Sequence, residues 1–251
     1  MIEIKNLSYN IKKKKILRDI NLKIEDGDFW LIFGPNGAGK TTLLKILLGV
    51  ITDYKGEIFI DNKNIKKNTK KEIAKKISYL PQFEEFSLPL CVKEILLSGR
   101  YPYTSLFKDY SKNDFTIFNN TVDQFDLHEF VNRDINTLSG GERKKVMLAS
   151  TFIQNVSIIL FDEPFTFLDP EAIANLTKFL IKLKENGKTL IIVSHNIEIL
   201  FPVVHKILAL KRGKIVYSGS KLFDKDIFKQ TYNVNYEQLI SKNREIIYLD
   251  E

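Results

Sequence analysis

Apolar and polar residues alternate from the start of the chain. Ile2, Ile4 and Leu7 mark one amphipathic strand, and Leu17, Ile20, Leu22 and Ile24 mark a second at strand-like spacing. The polar run Lys12 to Lys15 between them predicts a turn, and Asp26-Gly27 is a further turn signal. Phe29-Trp30-Leu31-Ile32-Phe33 is continuously apolar, the pattern of a strand buried on both faces. A glycine-rich loop and a Leu- and Ile-rich helix to about Val50 follow it. Residues 56–61 read as a short strand, 63–76 as polar chain ending in a surface helix, and 77–80 as strand again.

From Gln82 to Asn136 strand patterns give way to helical ones. Ser111-Lys112-Asn113-Asp114 resembles a capping box opening a helix through Phe125. Strand patterns resume at 157–161, 189–193 and 207–210. A helix over 170–185 lies between the first two, with Gly187 as its stop. Arg212-Gly213 is a tight turn before a strand at 214–217. Strands alternating with helices predict a mostly parallel α/β sheet. The expected organisation is one unit spanning 1–251, with 1–81 and 157–251 as α/β core and β part and 82–156 as an inserted helical subdomain.

Composition narrows the class. The chain has 251 residues, 44% hydrophobic and 27% charged, which excludes intrinsic disorder, collagen-like repeats and a disulfide-rich scaffold. Cys91 is the single cysteine, so no intrachain disulfide forms and a reducing compartment fits. No apolar run approaches the roughly 20 residues that span a bilayer. The N-terminus reads as a strand rather than a signal peptide, and the expectation is an intracellular, soluble protein. Lys and Arg (38) exceed Asp and Glu (31) by 7. The lysine runs lack interleaved aromatics, so they read as solvated faces rather than as a nucleic-acid surface.

Three segments carry chemistry. Gly34-Pro35-Asn36-Gly37-Ala38-Gly39-Lys40-Thr41 matches the P-loop pattern GxxxxGK[ST]. Its glycines let backbone N–H groups curl around phosphate oxygens, and the following helix presents its positive end to the same anion. Lys40 is placed to reach the β- and γ-phosphates and the Thr41 hydroxyl to coordinate Mg²⁺. Residues 157–163 form an apolar strand ending in Asp162 and Glu163. At the carboxyl end of a central strand Asp162 can hold Mg²⁺ and Glu163 can polarise water; solvated acids terminating a strand are the plainer alternative. Leu138-Ser139-Gly140-Gly141-Glu142 precedes an apolar-periodic helix, as a second anion cradle or as ordinary capping by Ser139.

Taken in order, Tyr9, residues 34–42, Gln82, 138–142, 158–163, Asp169 and His195 resemble the ATP-binding cassette (ABC) ATPases over nearly the full chain. The resemblance implies a P-loop NTPase α/β core with an N-terminal antiparallel β part and an inserted helical subdomain. It implies ATP and Mg²⁺ as cofactors and ATP hydrolysis as the activity. Tyr9 would stack on adenine, unless it is a core tyrosine. Asn36, Gly37, Gly39, Lys40, Thr41 and Thr42 would hold the phosphates; Thr41, Gln82 and Asp162 would hold the metal. Glu163, Gln82, His195 and Lys40 would act in catalysis. Ser139, Gly140 and Gly141 would cap the nucleotide of a second copy, making a head-to-tail homodimer, with Asp169 in the loop crossing that interface. Arg143-Lys144-Lys145 and the pair Phe165 and Phe167 depart from the usual pattern without removing a catalytic group.

Gly99-Arg100-Tyr101-Pro102-Tyr103 is similar to importers of ferric siderophores, haem and cobalamin. The resulting expectation is the ATPase subunit of an importer, peripheral on the cytoplasmic face of the membrane. Its partners would be permease subunits and, indirectly, an extracytoplasmic substrate-binding protein, with no nucleic acid. The apolar stretch Phe83, Phe86, Leu88, Pro89, Leu90 and Val92 would grip a permease helix between itself and the core, or else form the helical subdomain's own core. The alternative is a soluble ABC ATPase of iron–sulfur assembly or nucleic-acid repair, although the long coiled-coil or zinc insertions of repair members are missing. A small-molecule kinase would leave residues 138–142 unexplained.

Overall fold

The computed structural model describes residues 1–82, 88–104, 109–233, 236–241 and 244–249. Strands β1 (Ile2–Ile11) and β2 (Lys14–Ile24) form an antiparallel hairpin, turned at Lys12 with φ 52°. β3 (Phe29–Phe33) is buried at every position, as its apolar run requires. α1 (Lys40–Leu47) stops short of Val50, because Gly49 adopts φ 67° and breaks the helix there. β4 (Lys55–Ile60), β5 (Lys63–Asn64), the five-residue α2 (Lys70–Ala74) and β6 (Ile77–Leu80) follow.

Next come three helices: α3 (Val92–Ser98), α4 (Lys112–Gln124) and α5 (Gly140–Phe152). The expected capping box opens α4, where Ser111 accepts from the Asp114 amide and the Asp114 carboxylate accepts from the Ser111 amide. β7 (Ile158–Asp162), α6 (Pro170–Glu185), β8 (Thr189–Val193), α7 (Ile197–Leu200), β9 (Lys206–Lys211) and β10 (Lys214–Ser220) complete the alternating pattern. The sequence pattern gave no elements beyond 217, where the chain adds α8 (Lys225–Tyr232) and a hairpin of β11 (Tyr236–Ser241) and β12 (Arg244–Leu249).

The six-stranded sheet has the order β10-β9-β3-β8-β7-β6, parallel except where β10 runs antiparallel to β9. A second, antiparallel sheet has the order β2-β1-β4-β5. Successive β3 side chains enter opposite cores. Phe29, Leu31 and Phe33 join the core containing α3 to α6 and α8, while Trp30 and Ile32 join the core shared with α1 and the antiparallel sheet. The carboxyl ends of β3, β7 and β8 therefore open side by side at one edge. Of the apolar stretch after Gln82, Phe83 and Phe86 lie outside the described residues; Leu88 is exposed and Val92 fully buried. No helix among the described residues is long and apolar enough to cross a membrane.

Candidate functional site

The loop between β3 and α1 is shaped by glycines that cannot be exchanged freely. A Cβ on Gly34 would lie 2.0 Å from the Leu210 carbonyl oxygen, and one on Gly39 would lie 2.6 Å from Leu17 Cδ2. Gly39 caps α1 at φ 103° without a side-chain bond, leaving the first amides of the helix for an anion. Lys40, at 6% exposure, turns back into the loop, where Nζ donates to Gly34 O at 2.6 Å and Pro35 O at 3.3 Å.

Asn36, Gly37, Gly39, Lys40, Thr41, Thr42, Gln82, Asp162, Glu163 and His195 line one cavity of about 390 Å³. Ten expected site residues from four separate segments thus converge. Asp162 ends β7, and Tyr79 on the neighbouring β6 donates its hydroxyl to Asp162 Oδ2 at 3.2 Å. Tyr79 carries no sequence signal, because an aromatic in an apolar strand is ordinary. Glu163 stands just past the strand at φ 47°, a left-handed conformation rare for a side chain of this size. Its Oε2 accepts from the His195 amide at 3.1 Å, and its Oε1 lies 3.3 Å from His195 Nε2.

Burial sets the electrostatics. It pushes the Asp162 and Glu163 carboxyls above their ordinary values, and Lys40 pulls back in both cases. Burial lowers Lys40, with Glu163 and Asp162 opposing it. Burial and then the Lys40 charge lower His195. His195 Nε2 stands between a donor and an acceptor, 3.4 Å from the Lys40 ammonium and 3.3 Å from Glu163 Oε1.

The remaining expected residues lie elsewhere. Tyr9 is half-buried on β1 and does not line this cavity, although its strand partner Leu17 packs on Gly39. Ser139 caps α5 through a box with Glu142. Gly140 lines a separate cavity with Phe167, Leu168 and Gln82, the last of which borders both spaces. Gly141, Lys144 and Lys145 border a third, of about 450 Å³, walled by Phe125, Leu148, Leu176 and Phe179. That cavity is larger but mainly apolar and takes in none of the residues of the loop between β3 and α1. Lys145 ties α5 to the turn after α4 through Asp126 O at 3.0 Å. Phe165 is core, whereas Phe167 is 87% exposed. Asp169 caps α6 by accepting from the Ala172 amide at 2.8 Å.

Residues 17–166 match the model of the family described as ABC transporter. The iron(3+)-hydroxamate import ATP-binding protein FhuC of Bacillus subtilis is 33% identical over 225 residues, covering 88% of this chain and 84% of its own. The manganese transport system ATP-binding protein MntB of Listeria innocua is 34% identical over 220 residues, covering 87% and 89%. Among solved structures, a dimeric bacterial ABC transporter cassette superposes with a TM-score of 0.75 at 29% identity, covering 89% of this chain and all of that one (100%). With the phosphate loop, the paired carboxylates and the inserted helices arranged as described, the chain belongs to the ABC transporter family and forms its ATP-binding cassette.

Proposed function

We propose that this ATPase powers uptake of a ferric chelate, a siderophore or haem, or of cobalamin, through a membrane permease. The observation that carries the reading is the single cavity lined by the phosphate loop, both carboxylates, Gln82 and His195. Residues 36–42 bind the triphosphate through loop amides and the α1 N-terminus, and Lys40 exchanges its loop carbonyls for phosphate oxygens. Glu163, raised by burial, accepts a proton from the attacking water. His195 orients the γ-phosphate from the facing strand, and Gln82 senses it at the border with the helical subdomain, residues 82–156. Tyr9 stacks on the adenine.

The donor set fits Mg²⁺. Asp162 Oδ1 is buried without a hydrogen-bond partner, and the Thr41 hydroxyl bonds the same carboxyl. One carboxylate and one hydroxyl suit an ion that takes its other ligands from phosphates and water. Thr41, Asp162 and Gln82 would hold it, and when bound it would neutralise charge on the β- and γ-phosphates.

The likeness to a dimeric cassette supports a head-to-tail homodimer. Ser139, Gly140 and Gly141 do not border the phosphate cavity of their own chain, which suits a role at the partner's nucleotide. In this reading the dimer sits on the cytoplasmic face of the membrane beneath permease subunits, which receive substrate from an extracytoplasmic binding protein. The iron assignment rests on 99–103 and on relatives such as FhuC. MntB, equally similar, supports manganese as a second reading. Deleting the gene and measuring uptake of ⁵⁵Fe-siderophore, haem, cobalamin and ⁵⁴Mn²⁺ separates them. Loss of chelate or cobalamin uptake alone, restored by the wild-type gene but not by Glu163→Gln, is expected. Loss of manganese uptake alone would establish the second reading. No transport defect at all would favour a soluble ATPase of iron–sulfur assembly or repair.

A further inference from the structure

The C-terminal helix reaches the phosphate loop. Tyr232, the last residue of α8, accepts a hydrogen bond from the Gly34 amide through its hydroxyl at 3.0 Å, across 198 positions of sequence. Gly34 is the residue whose carbonyl holds Lys40 Nζ at 2.6 Å. One glycine thus carries the tyrosine on its amide and the phosphate-directed lysine on its carbonyl. β3 ends at Phe33, so the Gly34 amide is a donor leaving the sheet and needs a partner elsewhere. Gly34 sits at φ 144° with no room for a Cβ against Leu210, and glycine lacks the steric restraint that would otherwise fix the flanking peptide planes.

The tyrosine ring is held independently of its hydroxyl. Phe33 lies nearly parallel to it at 6.2 Å and to Phe228 of the same helix at 5.3 Å. Beyond the helix, Asn233 caps at φ 63°, and Lys211 Nζ donates to its Oδ1 at 2.7 Å and to the Gln230 carbonyl. α8 is therefore clamped to β9, which itself abuts Gly34. We propose that Tyr232 is a positioning residue for nucleotide binding: its hydroxyl fixes the first peptide of the phosphate loop and so limits the swing of the carbonyl from which Lys40 is delivered to phosphate. A preorganised loop loses less freedom on binding.

The proposal rests on the reading of this cavity as the ATP site, and two measurements keep them apart. In the nucleotide-free protein, Tyr232→Phe should accelerate exchange of the Gly34 amide, followed by NMR, while the melting temperature stays within about 3 °C. The same variant should weaken ATP binding about 3- to 10-fold by calorimetry, the range covered by one neutral hydrogen bond, with kcat at saturating ATP unchanged. Phe228→Leu keeps the hydroxyl and loosens the stack; it should melt lower with ATP affinity intact. Unchanged Gly34 exchange in Tyr232→Phe overturns the proposal, whether or not ATP binds. Equal weakening of ATP by Phe228→Leu also overturns it, since packing alone would then explain the effect. Wild-type protein that binds no ATP would overturn the site reading, while amide exchange still decides the role of Tyr232.

Discussion

Arg100 Nε donates to Asp114 Oδ1 at 2.9 Å, with only 5% and 7% of the two side chains exposed. Arg100 Nη1 also donates to Ile153 O at 3.1 Å, and its guanidinium stacks on Tyr103 at 4.0 Å. Tyr103 and Arg100 both bond the Gln154 carbonyl, and Gln154 Nε2 in turn donates to Ile77 O in β6 at 3.0 Å. The Gly-Arg-Tyr-Pro-Tyr string is thus a knot joining α3, α4 and α5 to the sheet. Even its glycine is explained by packing, since a Cβ on Gly99 would lie 2.6 Å from Ile153 Cγ2.

Removing one partner of that pair strands a buried charge. Arg100→Met should cost about 3–5 kcal/mol, read as a melting temperature lowered by about 10 °C. Burial alone pushes the Asp114 carboxyl up, but bonds from Ser111 and Arg100 together outweigh it and hold the group below its ordinary value. A depressed carboxyl stabilises the fold above its unfolded pKa, near ~3.9, and that stability is lost as pH falls through the lower folded value. The deficit of Asp114→Asn relative to wild type should be constant from about pH 8 to pH 5 and shrink below about pH 4. Melts across that range check both points; a deficit unchanged at the acid end would mean the carboxylate charge is not the stabilising element.

Glu163 is held in its strained backbone by the Val193 carbonyl, which accepts its amide at 2.8 Å, and by the His195 amide on its side chain. Glu163→Gln keeps the shape and the acceptor oxygen but removes the carboxylate proposed as the base. ATP hydrolysis should fall by roughly 10²–10⁴-fold, with binding retained and ATP-bound dimers appearing in size-exclusion chromatography. Lys40→Ala should lose binding itself. Turnover of Glu163→Gln at the wild-type rate would remove Glu163 from the role of base.

The lowered pKa of His195 gives a second handle on the same pocket. Its folded pKa lies below 6.5, so between the two values the unfolded chain carries the extra proton. His195 therefore contributes no stability change above pH 6.5, and the fold loses stability as pH drops from there toward the folded pKa. Histidine NMR titration of the nucleotide-free protein should give a midpoint under 6.5. Lys40→Met should move it upward, because it deletes the repelling charge 3.4 Å from Nε2. A midpoint unmoved by that substitution would leave burial as the sole cause.

The phosphate loop was legible because its geometry demands glycine at fixed places, and α6 because Asp169 and Pro170 open it and Gly187 closes it within a few residues of chain. Such signals are local. Tyr79 and Tyr232 were not legible, since each meets its partner across the sheet, 83 and 198 positions away. The apolar residues of α8 repeat too briefly to distinguish a helix that touches the site from one that merely covers the core. Residues 99–103 show the converse. Their resemblance pointed to substrate class, while their side chains are accounted for by internal bonds and stacking.

Leu88 decides between two uses of the apolar stretch after Gln82. It is 68% exposed, whereas Val92 at 0% is core and Leu90 packs on that core from the side. The stretch therefore divides: its C-terminal end anchors α3, and Leu88 faces outward. An exposed leucine contributes little to folding, so Leu88→Asp should leave the melting temperature within about 2 °C and ATP affinity unchanged. Val92→Asp, which buries a charge, should unfold the helical part. If the exposed end meets a permease helix, Leu88→Asp should cut permease co-purification from detergent-solubilised membranes and chelate uptake together, because the new carboxylate would be desolvated at the contact. Normal co-purification and uptake with an unchanged melt would take Leu88 out of that interface, and a collapsed melt would return it to the core.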